Sequence, residues 1–274
     1  MTLIARTNIV TDVFRLGGVG RLQVALFKLL VASCLQVRDS FGAVTFIPNA
    51  QQIARDTITD MGYPELAEKF GTVIRFLVSY PKAASLKRGK CAPMVGTLGY
   101  ITAAADKFAS SREPRSPEPP NTVPDEMVSF ILHNYFNTPK ESLDQIKRDH
   151  LLSMGAENLV GDILERYIAT ALEPAGWVWI SGSLVKGADF LKIPTDDDPT
   201  WQVLQVKNRD NSENSSSSAI RDGTNIKKWY RTFSKKPGNN WNRFPDIDHR
   251  NLLSEDGFKE FVRAYLIAIK LKSS

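Results

Sequence analysis

Apolar residues recur every three or four positions along most of the first 110 residues, which is the period of an amphipathic helix. The stretches that show this period are RLQVALFKLLVASCLQV (residues 21–37), NAQQIARDTITDMG (49–62) and PELAEKFGTVIRFLVSY (64–80). Asn49 is a candidate helix cap, Gly62 suits a helix end, and Pro64 suits a first helical turn. The pattern predicts a mostly helical N-terminal region over residues 1–110.

A proline-rich stretch follows over residues 111–124. It holds five prolines and no other apolar residue except Val123. Such a composition cannot continue a helix or supply a core, so it predicts a linker or an extended surface loop. We take it as the boundary between the N-terminal region and a C-terminal domain over residues 125–274.

Helical periodicity returns after this boundary. It predicts separate helices in DEMVSFILHNYF (residues 125–136), TPKESLDQIKRDHLL (138–152) and GAENLVGDILERYIATAL (155–172). In the second of these, Thr138 is the expected N-cap and Pro139 lies in the first turn.

Three short β runs come next. They are WVWISGS (residues 177–183), VKGADFLKI (185–193) and WQVLQVK (201–207). The acidic turn PTDDDPT (194–200) separates the second run from the third, so the two runs are expected to form a hairpin.

Four polar side chains in these elements form a candidate catalytic constellation. Gln205 and Lys207 are two apart on one strand and therefore share a face. Asp189, inside the preceding strand, can face them across the hairpin, and a helix packed beside it can bring in Glu165. Carboxylate and amide oxygens suit Mg²⁺, which takes its other ligands from water and phosphate. Taken singly, each of the four residues also has an ordinary structural interpretation, such as a lysine that reaches from a strand end to water.

In this order, the four positions resemble the PD-(D/E)xK nucleases. The resemblance rests on GDILERYI around Glu165, GADFL around Asp189, and QVK, which holds Gln205 and Lys207. It implies an α/β (α+β) fold with a central mixed β-sheet flanked by helices. It also implies that Asp189, Glu165 and Gln205 hold Mg²⁺, and that Lys207 acts on the scissile phosphate.

The chain departs from the pattern of these nucleases at two positions. Ala188 replaces a proline, which is a harmless change. Gln205 replaces an acid, which removes one negative charge from the metal site. Glu165 is the first candidate to compensate for that charge, Glu213 the second and Glu157 the third.

The segment after Lys207 is rich in Asn, Ser, Lys and Arg, which are side chains that contact phosphates and base edges. Helical spacing is expected in the second half of AIRDGTNIKKWYRTFSKK (residues 219–236). The candidate DNA-binding residues are Asn208, Arg209, Asn211, Glu213, Asn214, Ser215, Ser216, Ser217, Arg221, Asn225, Lys227, Lys228 and Arg231. A flexible serine-rich tip is the alternative interpretation of the middle of this segment.

The same segment resembles type II restriction endonucleases of the SinI/AvaII kind. This resemblance implies Mg²⁺-dependent hydrolysis of double-stranded DNA at a short GC-rich palindrome such as GGWCC, by an enzyme of a restriction-modification system. A palindromic site is matched by a two-fold symmetric protein, so a homodimer is expected. The alternatives are a structure-specific repair or recombination nuclease and an inactive DNA-binding protein of the same fold.

Charge and cysteine usage agree with this interpretation. The net charge is +5 with an isoelectric point near 9.1. Residues 201–250 hold ten basic and five acidic side chains, so this one segment carries the whole excess. Cys34 and Cys91 lack metal-ligand spacing, and no apolar run is long enough to cross a membrane. A cytoplasmic protein without membrane association is expected.

Overall fold

The structure is a computed structural model that describes residues 45–85, 93–196, 198–210 and 226–273. The helix predicted over residues 21–37 lies outside these ranges, as do Cys34 and Cys91. The α-helices described are α1 (Ala50–Asp60), α2 (Ala67–Ser79), α3 (Leu98–Ser110), α4 (Glu126–Asn134), α5 (Leu143–Leu172) and α6 (Glu255–Ser273). The strands are β1 (Trp177–Trp179), β2 (Phe190–Lys192), β3 (Gln202–Arg209) and β4 (Ile226–Thr232).

The strands form one mixed sheet in the order β1-β2-β3-β4. The first three are antiparallel, and β4 runs parallel to β3. Phe190 pairs with Leu204 and Lys192 with Gln202, which confirms the predicted hairpin across the acidic turn. Asp189 lies one residue before β2 and not inside it, and β3 continues two residues past Lys207, because β4 pairs with it as far as Arg209.

Both faces of the sheet are buried, which explains the nearly continuous apolar strands. Val178, Leu191 and Val203 pack in one core with helices α1, α2 and α3. The alternate residues Phe190 and Leu204 pack in a second core, which is shared with helices α5 and α6. The sheet therefore separates two layers of helices, as the predicted α/β (α+β) class requires, and the N-terminal helices share a core with the strands.

The N-terminal helices follow the sequence pattern closely. Helix α1 ends before Gly62, whose φ of 94° suits only glycine, and Pro64 begins a 3₁₀ turn that leads into α2. The predicted cap at Asn49 is wrong, because this residue adopts the left-handed conformation and its side chain caps nothing.

Helix α5 is continuous over 30 residues, so the prediction of two helices broken near Gly155 is wrong. A Cβ atom at position 155 would lie 2.8 Å from the carbonyl oxygen of Glu118. Glycine is therefore present for a close backbone approach inside the helix, and not to end it. The Thr138 cap is also wrong, since α5 follows a 3₁₀ turn and its N-cap position is Ser142.

The helical spacing predicted in residues 219–236 is wrong where the structure describes it, since Ile226–Thr232 is strand β4. Trp229 is buried in the core between neighbouring polar residues, and its partner on β3 is Val206. Pairing with a distant strand decides this conformation, and local spacing cannot reveal such pairing.

The proline-rich segment runs along α5 and is bonded to it. Arg166 donates hydrogen bonds to the carbonyl oxygens of Ser111, Arg112 and Glu113 at 2.6–2.9 Å. The Nε of Arg166 also pairs with Asp162 at 2.7 Å. One buried guanidinium thus supplies donors to three successive carbonyls that would otherwise lack partners.

In the described part of the chain, no helix is long and apolar enough to cross a membrane.

Candidate active site

Asp189 lies where strands β2 and β3 separate. Its backbone N–H still donates to Leu204 at 2.9 Å, but the β2 pairing goes no further along β3. Val206 lies two residues after Leu204 on β3, and its backbone N–H donates to the Asp189 side chain at 2.7 Å. The carboxylate therefore takes the place of a missing backbone partner, and this bond holds it at the fork between the strands.

Gln205 and Lys207 follow on β3 at this fork. Gln205 is buried while Lys207 is exposed, so the strand passes from the core to the surface between them. Across the parallel ladder they pair with Lys228 and Tyr230 of β4. The prediction that these two residues share one face of the strand is confirmed by the regular register.

Glu165 comes from the middle of α5. Its neighbours on the helix, Leu164 and Ile168, are fully buried against the sheet, so its carboxylate is held beside the strands. The indole N–H of Trp179, the last residue of β1, donates to Glu165 Oε2 at 2.9 Å.

The Asp189 carboxylate and the Lys207 ammonium both act on the pKa of Glu165. The pKa of Glu165 is raised to about 8, first by burial and then by the Asp189 carboxylate, against the Trp179 hydrogen bond and the Lys207 charge. Burial also raises the pKa of Asp189 to about 6, against the Val206 hydrogen bond and Lys207. The structure thus brings three of the four predicted residues into one electrostatic cluster, with Gln205 on the strand between them.

Trp179 is itself fixed in place. The guanidinium groups of Arg112 and Arg166 lie 5.0 and 5.1 Å from its ring centroid. Arg112 also donates to the Trp179 carbonyl at 2.8 Å and to Glu173 at 2.7 Å. These cation–π contacts and hydrogen bonds hold the indole, and through it the carboxylate of Glu165, in one orientation.

The donor set suits a hard cation that keeps several waters. Among the described residues no three His, Cys, Asp or Glu side chains are grouped to hold a metal ion. The carboxylates of Glu165 and Asp189 are nevertheless half-buried with raised pKa values, and the third position of the pattern is the neutral, buried Gln205. Of the other two candidate acids, Glu157 is exposed on α5, and Glu213 lies outside the described residues.

Only some of the candidate DNA-binding residues fall in the described ranges. Arg209, Lys227 and Lys228 are exposed at the β3–β4 edge, while Asn208 and Arg231 are half-buried. Arg231 donates to Asn208 at 3.0 Å and to Glu255 at 2.6 Å. The remaining candidates lie outside the described part of the chain, namely Asn211, Glu213, Asn214, Ser215, Ser216, Ser217, Arg221 and Asn225.

The sequence pattern did not single out Trp179, Arg112, Arg166 and Asp162. Asp162 and Arg166 are four apart on α5, which is a spacing typical of an ion pair. The sequence alone could therefore have predicted this pair. Arg112 lies in the proline-rich segment, far from β1 in sequence. Only the folded chain shows that it contacts Trp179.

A mixed sheet between helices, with two carboxylates and a lysine where the strands separate, is the arrangement of the PD-(D/E)xK nucleases. A sequence model described as "SinI restriction endonuclease" matches residues 50–268. The chain is 48% identical over 229 residues to the type II restriction enzyme SinI of Salmonella infantis, covering 83% of this chain and 99% of the relative. It is 49% identical over 226 residues to the type II restriction enzyme Eco47I of Escherichia coli, covering 82% of this chain and 97% of the relative.

The two relatives are matched over nearly their whole length, and the residues matched by the family model include α5 and all four strands. The chain belongs to the SinI restriction endonuclease family. As a member of that family it is an enzyme, a type II site-specific deoxyribonuclease.

Proposed function

We propose that this chain hydrolyses phosphodiester bonds of double-stranded DNA at a short GC-rich palindrome, in a Mg²⁺-dependent reaction centred on Asp189. The observation that carries the proposal is the cluster at the β2–β3 fork, where the Val206 N–H holds Asp189, the Trp179 N–H holds Glu165 and Lys207 is exposed at the end of the same strand. Perturbed carboxylates beside a lysine at a strand end are typical of a catalytic site.

The side chains of the cluster have two different roles, cation binding and contact with the phosphate. The Val206 N–H holds the Asp189 carboxylate at the fork, and the Trp179 N–H orients Glu165, so both present oxygens to one cation. The exposed ammonium of Lys207 contacts the scissile phosphate and orients the attacking water. It also offsets the negative charge that develops in the transition state.

Mg²⁺ bound to Asp189, Glu165 and Gln205 would lower the pKa of water and neutralise charge on the phosphate. The neutral Gln205 leaves such a site with two formal negative charges from this chain. Because Glu165 and Asp189 have raised pKa values, a cation must compete with protons for them near neutral pH.

For the target sequence, we propose a GGWCC-like site, supported by the resemblance of the segment after Lys207 to enzymes of the SinI/AvaII kind. Arg209, Lys227 and Lys228 are exposed beside the cluster and suit contacts with the DNA backbone. A two-fold symmetric homodimer would present one cluster to each strand of a palindrome. Such an enzyme would act in the cytoplasm, on DNA that has entered the cell.

Cleavage of plasmid DNA tests the proposal. The wild-type protein with Mg²⁺ is expected to give discrete fragments, whose sequenced ends identify the site. Asp189→Ala and Lys207→Ala are each expected to reduce the cleavage rate by at least about a hundredfold to a thousandfold. Both variants should still bind the same DNA in Ca²⁺, because neither change removes the surface that contacts it.

Matched controls separate the site from a general loss of charge. Asp196→Ala in the exposed turn and Lys259→Ala on α6 remove the same kinds of side chain outside the cluster, and should cleave normally. Full activity of Asp189→Ala would contradict the proposed site. A smear of fragments would favour a structure-specific nuclease, and binding without any cleavage would favour an inactive DNA-binding protein.

A further inference from the structure

Helix α4 is apolar but buries none of its residues in the described chain. Together with the first half of α5, which it contacts, it forms a helical hairpin. Most of its large apolar side chains are more than half exposed, with Phe130 at 59% and Ile131 at 53%, while Leu132 is half-buried. We call the following set the hairpin face: Met127, Val128, Phe130, Ile131, Tyr135 and Phe136.

A helix of nine residues does not persist in water through its own backbone hydrogen bonds, because isolated helices shorter than about 12–15 residues are marginal. Helices this short are held by burial of an apolar face. The hairpin face, together with Leu152 of α5, exposes on the order of 700–800 Å² of side-chain surface. That exceeds the roughly 300–600 Å² of the largest apolar patch on a typical monomer.

The exposed area matches the requirement of a stable protein interface. Such an interface buries about 800 Å² on each partner, with large apolar and aromatic side chains at its centre. Phe130, Tyr135 and Phe136 are of the residue types that anchor interfaces of this kind.

The charges around the hairpin face select the kind of partner. Residues 125–150 carry five acidic and three basic side chains, so the hairpin opposes binding to DNA or to an anionic lipid surface. Charges of both signs near one apolar face are compatible with a second copy of the same face, where an acid of one copy can meet a base of the other. The described chain contains one Asp189–Lys207 cluster, while a duplex has two strands to cut.

We propose that the hairpin face is the surface through which two copies of this chain associate, an inference that rests on the proposed double-strand cleavage. The interface is isologous, with α4 of one copy packed against the hairpin of the other about a two-fold axis. The two Asp189 clusters are then held at a set distance for the two strands of one site.

Sedimentation and light scattering of the full-length protein test this surface. Wild type is expected to have twice the chain mass of 30.6 kDa. Ile131→Glu is expected to raise the dimer dissociation constant by at least about a hundredfold, because it buries a charge at the centre of the interface. Ile267→Glu on α6 is the matched control, since Ile267 has nearly the same exposure at 55%, and this variant should remain dimeric.

Far-UV circular dichroism of each variant checks that it is folded, which is expected because both isoleucines are exposed within one chain. A wild-type monomer at all concentrations would overturn the proposal. So would an Ile131→Glu variant that remains dimeric, or a dimer that only Ile267→Glu disrupts.

Hydrogen exchange at several protein concentrations identifies what covers the face. Protection of residues 126–136 should fall on dilution, in step with dimer dissociation. Protection that is independent of concentration would show that the face is covered within one chain, and would overturn the proposal. Cleavage assays separate the two proposals. If Ile131→Glu disrupts the dimer but the wild type never cleaves DNA, only the proposed function is contradicted. If the wild type cleaves DNA but Ile131→Glu stays dimeric, only the proposed surface is contradicted.

Discussion

Two pairs of carboxylates, each at least half-buried, show opposite shifts in pKa. Glu173 and Asp246 are surrounded by donors: Glu173 pairs with Arg112 and Lys69, and Asp246 accepts from Trp177 and His249. Burial acts to raise the pKa of each, but these partners outweigh it, so both pKa values are lowered.

Glu165 and Asp189 are half-buried and have few partners among the described residues. Within the described ranges each accepts one N–H, and the Lys207 ammonium, which acts on both, is exposed to solvent. Their pKa values are raised instead, to about 8 and about 6. Paired acids stabilise the fold, whereas underpaired acids cost stability in the absence of a cation, which is the arrangement expected of a site that binds one.

The largest expected effect comes from Glu173→Gln. This change leaves Arg112 and Lys69 without their anionic partner in a half-buried position, so the free energy of unfolding should fall by about 3–5 kcal/mol. Denaturant unfolding of the metal-free protein at pH 8 measures it. A loss below about 1 kcal/mol would show that these charges are solvated. It would contradict the view that the partners of Glu173 stabilise the fold.

The same substitution at the site, Glu165→Gln, should raise the free energy of unfolding of the metal-free protein at pH 8. The pKa of Glu165 rises from an ordinary 4.5 to about 8, so its stabilising contribution is complete below pH 4.5 and is lost as the pH rises towards 8. Between pH 5 and pH 8 the metal-free wild type should therefore lose stability. The Glu165→Gln variant should lose less stability over this range and be more stable than the wild type at pH 8. It should not cleave DNA. Parallel stability profiles for the two proteins would contradict the raised pKa.

The smallest effect is expected for Trp179→Phe, which removes the indole N–H that donates to Glu165 and keeps an aromatic ring beside the two guanidinium groups. Loss of a bond that orients a ligand should weaken divalent cation binding by about 10- to 100-fold. Calorimetry with Ca²⁺ in the presence of DNA measures this without turnover. The matched control is Trp241→Phe, which removes an indole bond to Glu255 away from the fork and should leave cation affinity unchanged.

The strands near the site were predictable because each has a strong local signal. Apolar runs bounded by turn residues predicted β1, β2 and β3, and the acidic turn predicted their hairpin. The order of Glu165, Asp189, Gln205 and Lys207 carried the nuclease resemblance. The helical spacing assigned to Ile226–Thr232 was wrong, because that segment is a strand only through its parallel partner β3.

The chemistry available at the fork is set by the order of residues along the chain, because that order places the carboxylates, the amide and the lysine on one helix and neighbouring strands. How those groups are held and charged depends on the folded chain. The Val206 N–H left free by β2, the Trp179 indole and the Arg112–Arg166 pair come from segments far apart in sequence. Burial and distant partners set a pKa, and neither is a property of local sequence. For the same reason a 30-residue helix could contain Gly155: its neighbour, the Glu118 carbonyl, is brought there only by the folded chain.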